Sequence, residues 1–256
     1  MIAEWDIQNP KNGRLVATVE GNIFSMLFLN DKNWVIAGNM YGGLHWIDLN
    51  DNINFKSVLH HKKGVFDIFR LNENQIISLG GEGALSIWDI NNTRCIATLE
   101  LSLRSISAHP TEKLLAVGSS DNNIYLIHSE TFELIRIITN AHENSVFKVC
   151  FSPDGKYLLS GGRDAYLRIR SVFDNFEEFP TQPAHLFTVN DISYHPKGKI
   201  LATGGRDKTI KIWDAESFKL LKGLDTFKGG HLNSVNCLLW PESGQELISG
   251  SDDRSI

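Results

Sequence analysis

The sequence predicts an all-β fold of four-stranded antiparallel sheets, one per repeat, stacked radially side by side. Three observations carry this. Trp5, Trp46, Trp88 and Trp213 each follow a short apolar alternation and precede an Asp, in "AEWDI", "LHWIDL" (with one residue inserted), "LSIWDI" and "IKIWDA". The same slot passes through Ile127 and Arg170, so that its steps are 41, 42, 39, 43 and 43 residues. One phrase also recurs: "SGGRDAYLRIRS" at Ser160, "TGGRDKTIKIWD" at Thr203 and "SGSDDRSI" at Ser249. Finally, each period runs through four apolar alternations separated by turn residues, and a fixed period of about forty residues marks a repeat architecture.

The period ending near residue 231 shows the elements in order. "TVNDISYH" alternates and stops at the turn "PKGK", "ILATGG" stops at "RDKT", "IKIWD" at "AES", and "FKLLKGL" completes the set. Runs of four to seven residues with period two, punctuated by Pro, Gly, Asp and Asn, predict short strands joined by tight turns. A lone four-stranded sheet buries neither of its faces, so neighbouring sheets must stack. The predicted repeats cover residues 21–61, 62–99, 100–142, 143–185 and 186–231, with half repeats at 1–20 and 232–256, in a single domain over 1–256.

Composition sets outer bounds. With 42% hydrophobic and 21% charged residues, 256 residues suffice for a substantial core. A net charge of -5 argues against nucleic acid as the main partner. The N-terminal residues lack a signal-peptide pattern, and no apolar run is long enough for a membrane helix, so the chain is expected in the cytoplasm. Cys95, Cys150 and Cys237 are odd in number and flanked by apolar residues, and read as small core hydrophobes in neither a disulfide nor a zinc site.

These residues resemble the WD-repeat β-propeller family along essentially the whole chain. The resemblance implies a His before the first strand of each repeat, Ser or Thr in the second, Asp in the following turn, and Trp-Asp ending the third. In the fifth repeat these are His185, Thr203, Asp207 and Trp213. The fourth has His142, Ser160 and Asp164 with Arg170 replacing Trp; the second has His61, Ser78 and Trp88 with Glu82 replacing Asp. The half repeat at the C-terminal end has His231, Ser249 and Asp253. The first carries Val19, Ala37 and Tyr41 in polar slots and the third Leu99 and Val117, so several repeats are expected to lack the full network. An imidazole between a carboxylate and a hydroxyl, with the hydroxyl accepting the indole N–H, satisfies every polar group of a buried site. Its recurrence at repeat spacing makes the Ser/His/Asp set structural rather than a catalytic triad.

Residues 1–20 supply a third and fourth strand and residues 232–256 a first and second. The expectation divides between a fragment of a seven-bladed ring, which is favoured, and six blades closed by combining the halves.

Catalytic motifs are mostly missing. "GGEGALS" around Gly81 sits between strands and lacks the last glycine of a dinucleotide loop, "HENSV" has no second His, and neither G-x-S-x-G nor C-x-x-C occurs. His60-His61 before Lys62-Lys63 offers a metal or phosphate site, against which His61 already fills a structural slot; Glu177-Glu178 is expected to be solvated. What remains is surface. Arg163 and Arg206 precede turn Asp slots, while Phe24, Phe66, Arg104, Phe147, Asn190 and Asn236 begin first strands. Aromatic and Arg residues are enriched at binding hot spots. The expectation is a non-catalytic scaffold that binds a partner peptide or domain on the channel-mouth face through Arg163, Arg206, Arg104, Phe147, Phe66 and Asn190, with no cofactor or metal and no small-molecule substrate. The alternatives are an enzyme using that mouth as its active site and a component of an RNA-associated complex.

Overall fold

The computed structural model describes residues 1–6, 9–51, 55–92, 94–100 and 103–256. They form two compact units, 1–104 and 105–256. In the first unit β1 (Ile2–Asp6) pairs with β2 (Asn9–Ala17). One four-stranded sheet follows in the order β3 (Ile23–Leu29), β4 (Trp34–Asn39), β5 (Gly43–Asp48), β6 (Phe55–Leu59). A second has β7 (Val65–Arg70), β8 (Gln75–Gly80), β9 (Ala84–Asp89) and β10 (Arg94–Glu100).

The second unit repeats the pattern. β11 (Leu103–Ala108), which begins at the boundary, precedes β12 (Leu114–Ser119), β13 (Ile124–His128) and β14 (Leu134–Ile138). Next come β15 (Val146–Phe151), β16 (Tyr157–Gly162) and β17 (Tyr166–Ser171), whose outer neighbour is broken into β18 (Glu177–Glu178) and β19 (Gln182–Pro183). β20 (Val189–Tyr194), β21 (Ile200–Gly205), β22 (Ile210–Asp214) and β23 (Leu220–Leu224) form another sheet, and β24 (Val235–Leu239) pairs with β25 (Ile248–Ser251). Each sheet is antiparallel with sequential neighbours, as short turns between alternating strands require.

The core lies between consecutive sheets. In the first unit Leu29, Ile36, Leu44 and Trp46 pack on Val65, Ile68, Ile76 and Trp88. In the second, Leu159, Leu167 and Ile169 pack on Val189, Ile192, Leu201 and Trp213. The recurring glycine of the second strand allows this approach. A Cβ on Gly38, Gly161 or Gly204 would stand 2.6, 2.6 and 2.8 Å from the first-strand valine of the next sheet, Val65, Val189 and Val235.

One expected core position differs. Cys237 is exposed because β24 buries Val235 and Leu238 and turns Cys237 outward. Cys150 is held among apolar neighbours, and burial pushes its thiol up to about 11.

Candidate functional site

The recurring polar residues meet at the ends of the second and third strands. Around β20–β23, His185 Nδ1 donates to Asp207 Oδ1 at 2.9 Å, the Thr203 hydroxyl donates to Nε2 at 2.8 Å, and Trp213 Nε1 donates to the same oxygen at 3.0 Å. A carboxylate facing Nδ1 fixes the proton there and leaves Nε2 to accept. Asp207 also accepts from Leu186 N at 2.9 Å, which ties the loop before the first strand to the turn after the second. Burial opposes ionisation of Asp207, but the bonds from His185, Leu186 N and Thr209 prevail and hold its pKa far below the usual carboxylate range.

The set recurs with different members. At β24–β25, His231 Nδ1 lies 3.1 Å from Asp253 Oδ2 and Nε2 lies 2.8 Å from Ser249 Oγ. At β7–β10 the sequence reading needs correcting. Glu82 does not interrupt the network: its Oε1 lies 2.6 Å from His61 Nδ1, Ser78 Oγ lies 2.7 Å from Nε2, and Trp88 Nε1 donates to Ser78 Oγ at 2.8 Å. The longer carboxylate reaches the same nitrogen. The His60-His61 doublet divides here, because His60 Nε2 lies 2.8 Å from Ser86 Oγ while His61 belongs to the network.

At β15–β18 the Trp position is functionally replaced. His142 Nδ1 lies 2.9 Å from Asp164 Oδ1, Nε2 lies 2.8 Å from Ser160 Oγ, and Arg170 Nη1 donates to Ser160 Oγ at 3.3 Å. Burial lowers the pKa of His142 despite the nearby Asp164 carboxylate. Arg170 is itself buried and pairs through Nη2 with Glu178, whose other oxygen accepts from Arg168 Nη1 at 2.9 Å. Glu178 is therefore not simply solvated. The buried guanidinium needs a counter-charge, and β18 brings one to it.

The remaining two sheets depart as the sequence indicates. Val19 and Ala37 are buried in an apolar cluster with Ile2, Val16 and Ile47, and here the sequence reading of the Trp slot is corrected: Ile47 shares the face of Ala37, while Trp46 is turned to the other face with no hydrogen-bond partner for Nε1 among the described residues. Asn39 holds that turn instead, accepting from Gly43 N at 2.7 Å and Tyr41 N at 3.1 Å. Val117 is fully buried, while the side chain of Leu99 lies outside those described. Asp121 retains the carboxylate position and accepts from Asn123 N at 3.2 Å.

The surface residues behave differently from one another. Arg163 and Arg206 are exposed at equivalent turn positions of consecutive sheets in the second unit, anchored through backbone bonds to Ser145 O and Thr188 O. Their guanidinium groups have no partner among the described residues. Phe147 is half-buried at the start of β15. The Asn190 amide is committed, donating to Ser234 Oγ at 2.9 Å and Val235 O at 2.8 Å. In the first unit Arg104 lies over the Phe66 ring at 4.6 Å, and Phe66 stacks on Phe24 with centroids 6.0 Å apart. Among the described residues no cluster of three or more His, Cys, Asp or Glu has metal-holding geometry, and no helix is long and apolar enough to cross a membrane.

Sequence reasoning missed a second set of contacts. His109 Nε2 donates to Gly155 O at 2.9 Å, and His195 Nε2 donates to Gly244 O at 2.9 Å, each from one sheet to the next. The signal was present in "AHPTEK" and "YHPKGK", two repeats apart.

A family model described as "WD domain, G-beta repeat" matches residues 93–128, 132–171, 177–214 and 222–256. The chain is 25% identical over 169 residues to U3 small nucleolar RNA-associated protein 21 of Saccharomyces cerevisiae, covering 64% of this chain and 18% of that protein. It is 25% identical over 194 residues to Echinoderm microtubule-associated protein-like 2 of Rattus norvegicus, covering 71% and 29%. With Nuclear distribution protein nudF of Emericella nidulans it shares 28% identity over 228 residues, covering 80% and 41%. The chain thus spans less than half the length of each of these relatives.

Proposed function

The chain belongs to the WD-repeat family, whose repeats serve as protein-interaction scaffolds, and from that premise we propose that it is a non-catalytic scaffold binding a partner peptide or domain at the turns between second and third strands. One observation carries this reading. The Ser/Thr-His-Asp groups are turned inward and bonded to one another, so their chemistry is spent on the fold, whereas Arg163 and Arg206 stand exposed without side-chain partners among the described residues. Two guanidinium groups at equivalent positions on rigid turns fit carboxylates of an acidic segment and lose little freedom on binding it. Phe147, half-buried at the start of β15, offers an apolar contact. Asn190 contributes by holding its strand to the next sheet rather than by touching the partner. In the first unit the Arg104, Phe66 and Phe24 stack presents its own aromatic and cationic surface.

The test is capture of partners from the native cell with wild type and with Arg163→Glu/Arg206→Glu. Loss of captured protein from the double variant, with its melting temperature preserved, supports the reading; unchanged capture overturns it. Cytoplasmic residence is part of the same proposal and is checked by imaging the tagged chain.

A second reading, a component of an RNA-containing assembly, is favoured by the name of the yeast relative. RNA held by phosphate contacts is released steeply as salt rises, through counterion release. A partner complex whose capture survives both nuclease and raised salt counts against it.

A further inference from the structure

Three hairpins of the second unit carry equivalent positions: His109 after β11, Ser152 after β15 and His195 after β20. At the two histidines the arrangement is the same. Nδ1 accepts from the backbone of its own turn, from Glu112 N at 2.9 Å or Lys197 N at 3.0 Å. Nε2 then carries the proton and donates to a turn glycine of the next sheet, Gly155 or Gly244. The ring meets, edge to face, the aromatic residue at or just past the end of the next sheet's first strand, His109 on Phe151 at 5.1 Å and His195 on Trp240 at 4.9 Å.

The middle position keeps every feature except the ring. Ser152 turns back on its own hairpin, donating to Asp154 Oδ1 at 2.6 Å and accepting from Tyr157 N at 2.9 Å. The aromatic equivalent to Phe151 and Trp240 is Tyr194, and the glycine equivalent to Gly155 and Gly244 is Gly198. A Cβ on Gly155 or Gly244 would stand 2.5 Å from the imidazole above it. On Gly198 it would meet nothing nearer than Pro153 Cγ at 3.8 Å. A cleft of about 310 Å³ lies there, lined by Ser152, Pro153, Tyr157, Tyr194, Lys197 and Gly198 among others. The Tyr194 hydroxyl is buried and has no hydrogen-bond partner among the described residues. A buried phenol in that condition forfeits a hydrogen bond it made in water.

We propose that this cleft binds an imidazole ring, borne by a histidine of a partner's extended segment, which donates an N–H to Gly198 O and packs against Tyr194. The chemistry of the ligand is set by the two sister junctions, where the chain's own histidines meet the same kind of carbonyl and the same aromatic edge. The cleft's volume reaches the lower end of the roughly 300–1,000 Å³ usual for ligand sites. That exceeds a bare five-membered ring, so the ring comes attached to backbone. This site is independent of Arg163 and Arg206.

The experiment follows the Tyr194 ring signals by NMR as N-acetyl-histidine amide is added, with N-acetyl-alanine amide as the control and free imidazole as the bare ring. The expected result is a saturable shift with a dissociation constant on the order of millimolar for so small a ligand. The histidine compound should bind more tightly than free imidazole, and the alanine compound should give no shift. Ser152→His, which supplies the ring from within, should abolish the response and raise the melting temperature; Ser152→Gln, whose amide N–H reaches the position of an imidazole Nε2–H, serves the same comparison if that variant fails to fold. Tyr194 signals that do not move in the wild type, that move equally with the alanine compound, or that move undiminished in the filled variant overturn the proposal.

Discussion

Arg170 donates from Nη1 to the Ser160 hydroxyl at 3.3 Å, in the place where Trp213 Nε1 donates to Thr203 Oγ1 at 3.0 Å. A guanidinium therefore does the work of an indole in one sheet, at the cost of a buried positive charge. Glu178, with 27% of its side chain exposed, supplies the countercharge. Glu178→Gln should destabilise by about 3 kcal/mol in urea unfolding, because breaking a buried pair leaves one charge uncompensated. Arg170→Trp in the Glu178→Gln background should restore most of that loss.

The hydroxyl at the centre of each network is the sharpest single target. Thr203→Val keeps the volume but removes the donor to His185 and the acceptor for Trp213. A loss of about 2 kcal/mol is expected, the penalty for leaving buried partners unsatisfied. Ala37→Ser should bring no compensating gain at Trp46, because Ala37 shares its face of the sheet with Ile47 while Trp46 lies on the other face. Paired denaturant curves decide both.

Acid should weaken the protein in two stages. Burial holds the pKa of His142 below the ordinary histidine value of about 6.5, so the folded protein favours the neutral ring. That contribution is fully present above pH 6.5 and is lost as pH falls below it toward the folded pKa. The hydrogen bonds to Asp164 and Asp207 hold both below the ordinary aspartate value of about 3.8, so theirs persists until pH falls through that value. Melting temperature against pH should fall first below about 6.5 and again below about 3.8. His142→Gln should shrink the first step, to which His45 and His60 also contribute because burial lowers their pKa values too, and should weaken the Asp164 part of the second while leaving that of Asp207.

Gly155 and Gly198 have the same backbone conformation, with φ of 73° and 68°, but different surroundings. Alanine at either pays the left-handed penalty of about 1 kcal/mol. At Gly155 the added Cβ would also press on His109 at 2.5 Å, whereas at Gly198 the nearest atom is 3.8 Å away. Gly155→Ala should therefore lower the melting temperature distinctly more than Gly198→Ala. Equal losses would show that the imidazole yields without cost.

Much of this was legible in the sequence because the period is written in residues with a single structural use. Trp88 and Trp213 mark third strands, and "SGG" and "TGG" mark second strands whose glycines lie under the next sheet's valine. Less legible were the substitutions that preserve chemistry while changing letters. Glu82 resembles a broken motif, yet one more methylene still delivers an oxygen to His61. Glu178 resembles a surface acid, yet Arg170 draws it inward, and a pairing between third and outer strands has no local signature. Cys237 stands two residues after buried Val235 and would share its face by simple alternation, but an irregularity in the β24–β25 pairing between them turns it outward, which has no local signature. The commitments of Asn190 to Ser234 and Val235 span more than forty residues and depend on how adjacent sheets meet.

The interrupted outer edge of the sheet built on β17 has a consequence for solubility. An uninterrupted rim strand offers a ladder of amides and carbonyls that a stray polypeptide can zip onto. Here β18 and β19 are two residues each, separated by Phe179, Pro180 and Thr181, and Pro183 in β19 has no amide hydrogen to offer. The break that carries Glu178 to Arg170 also leaves this rim a poor template for amyloid-like growth.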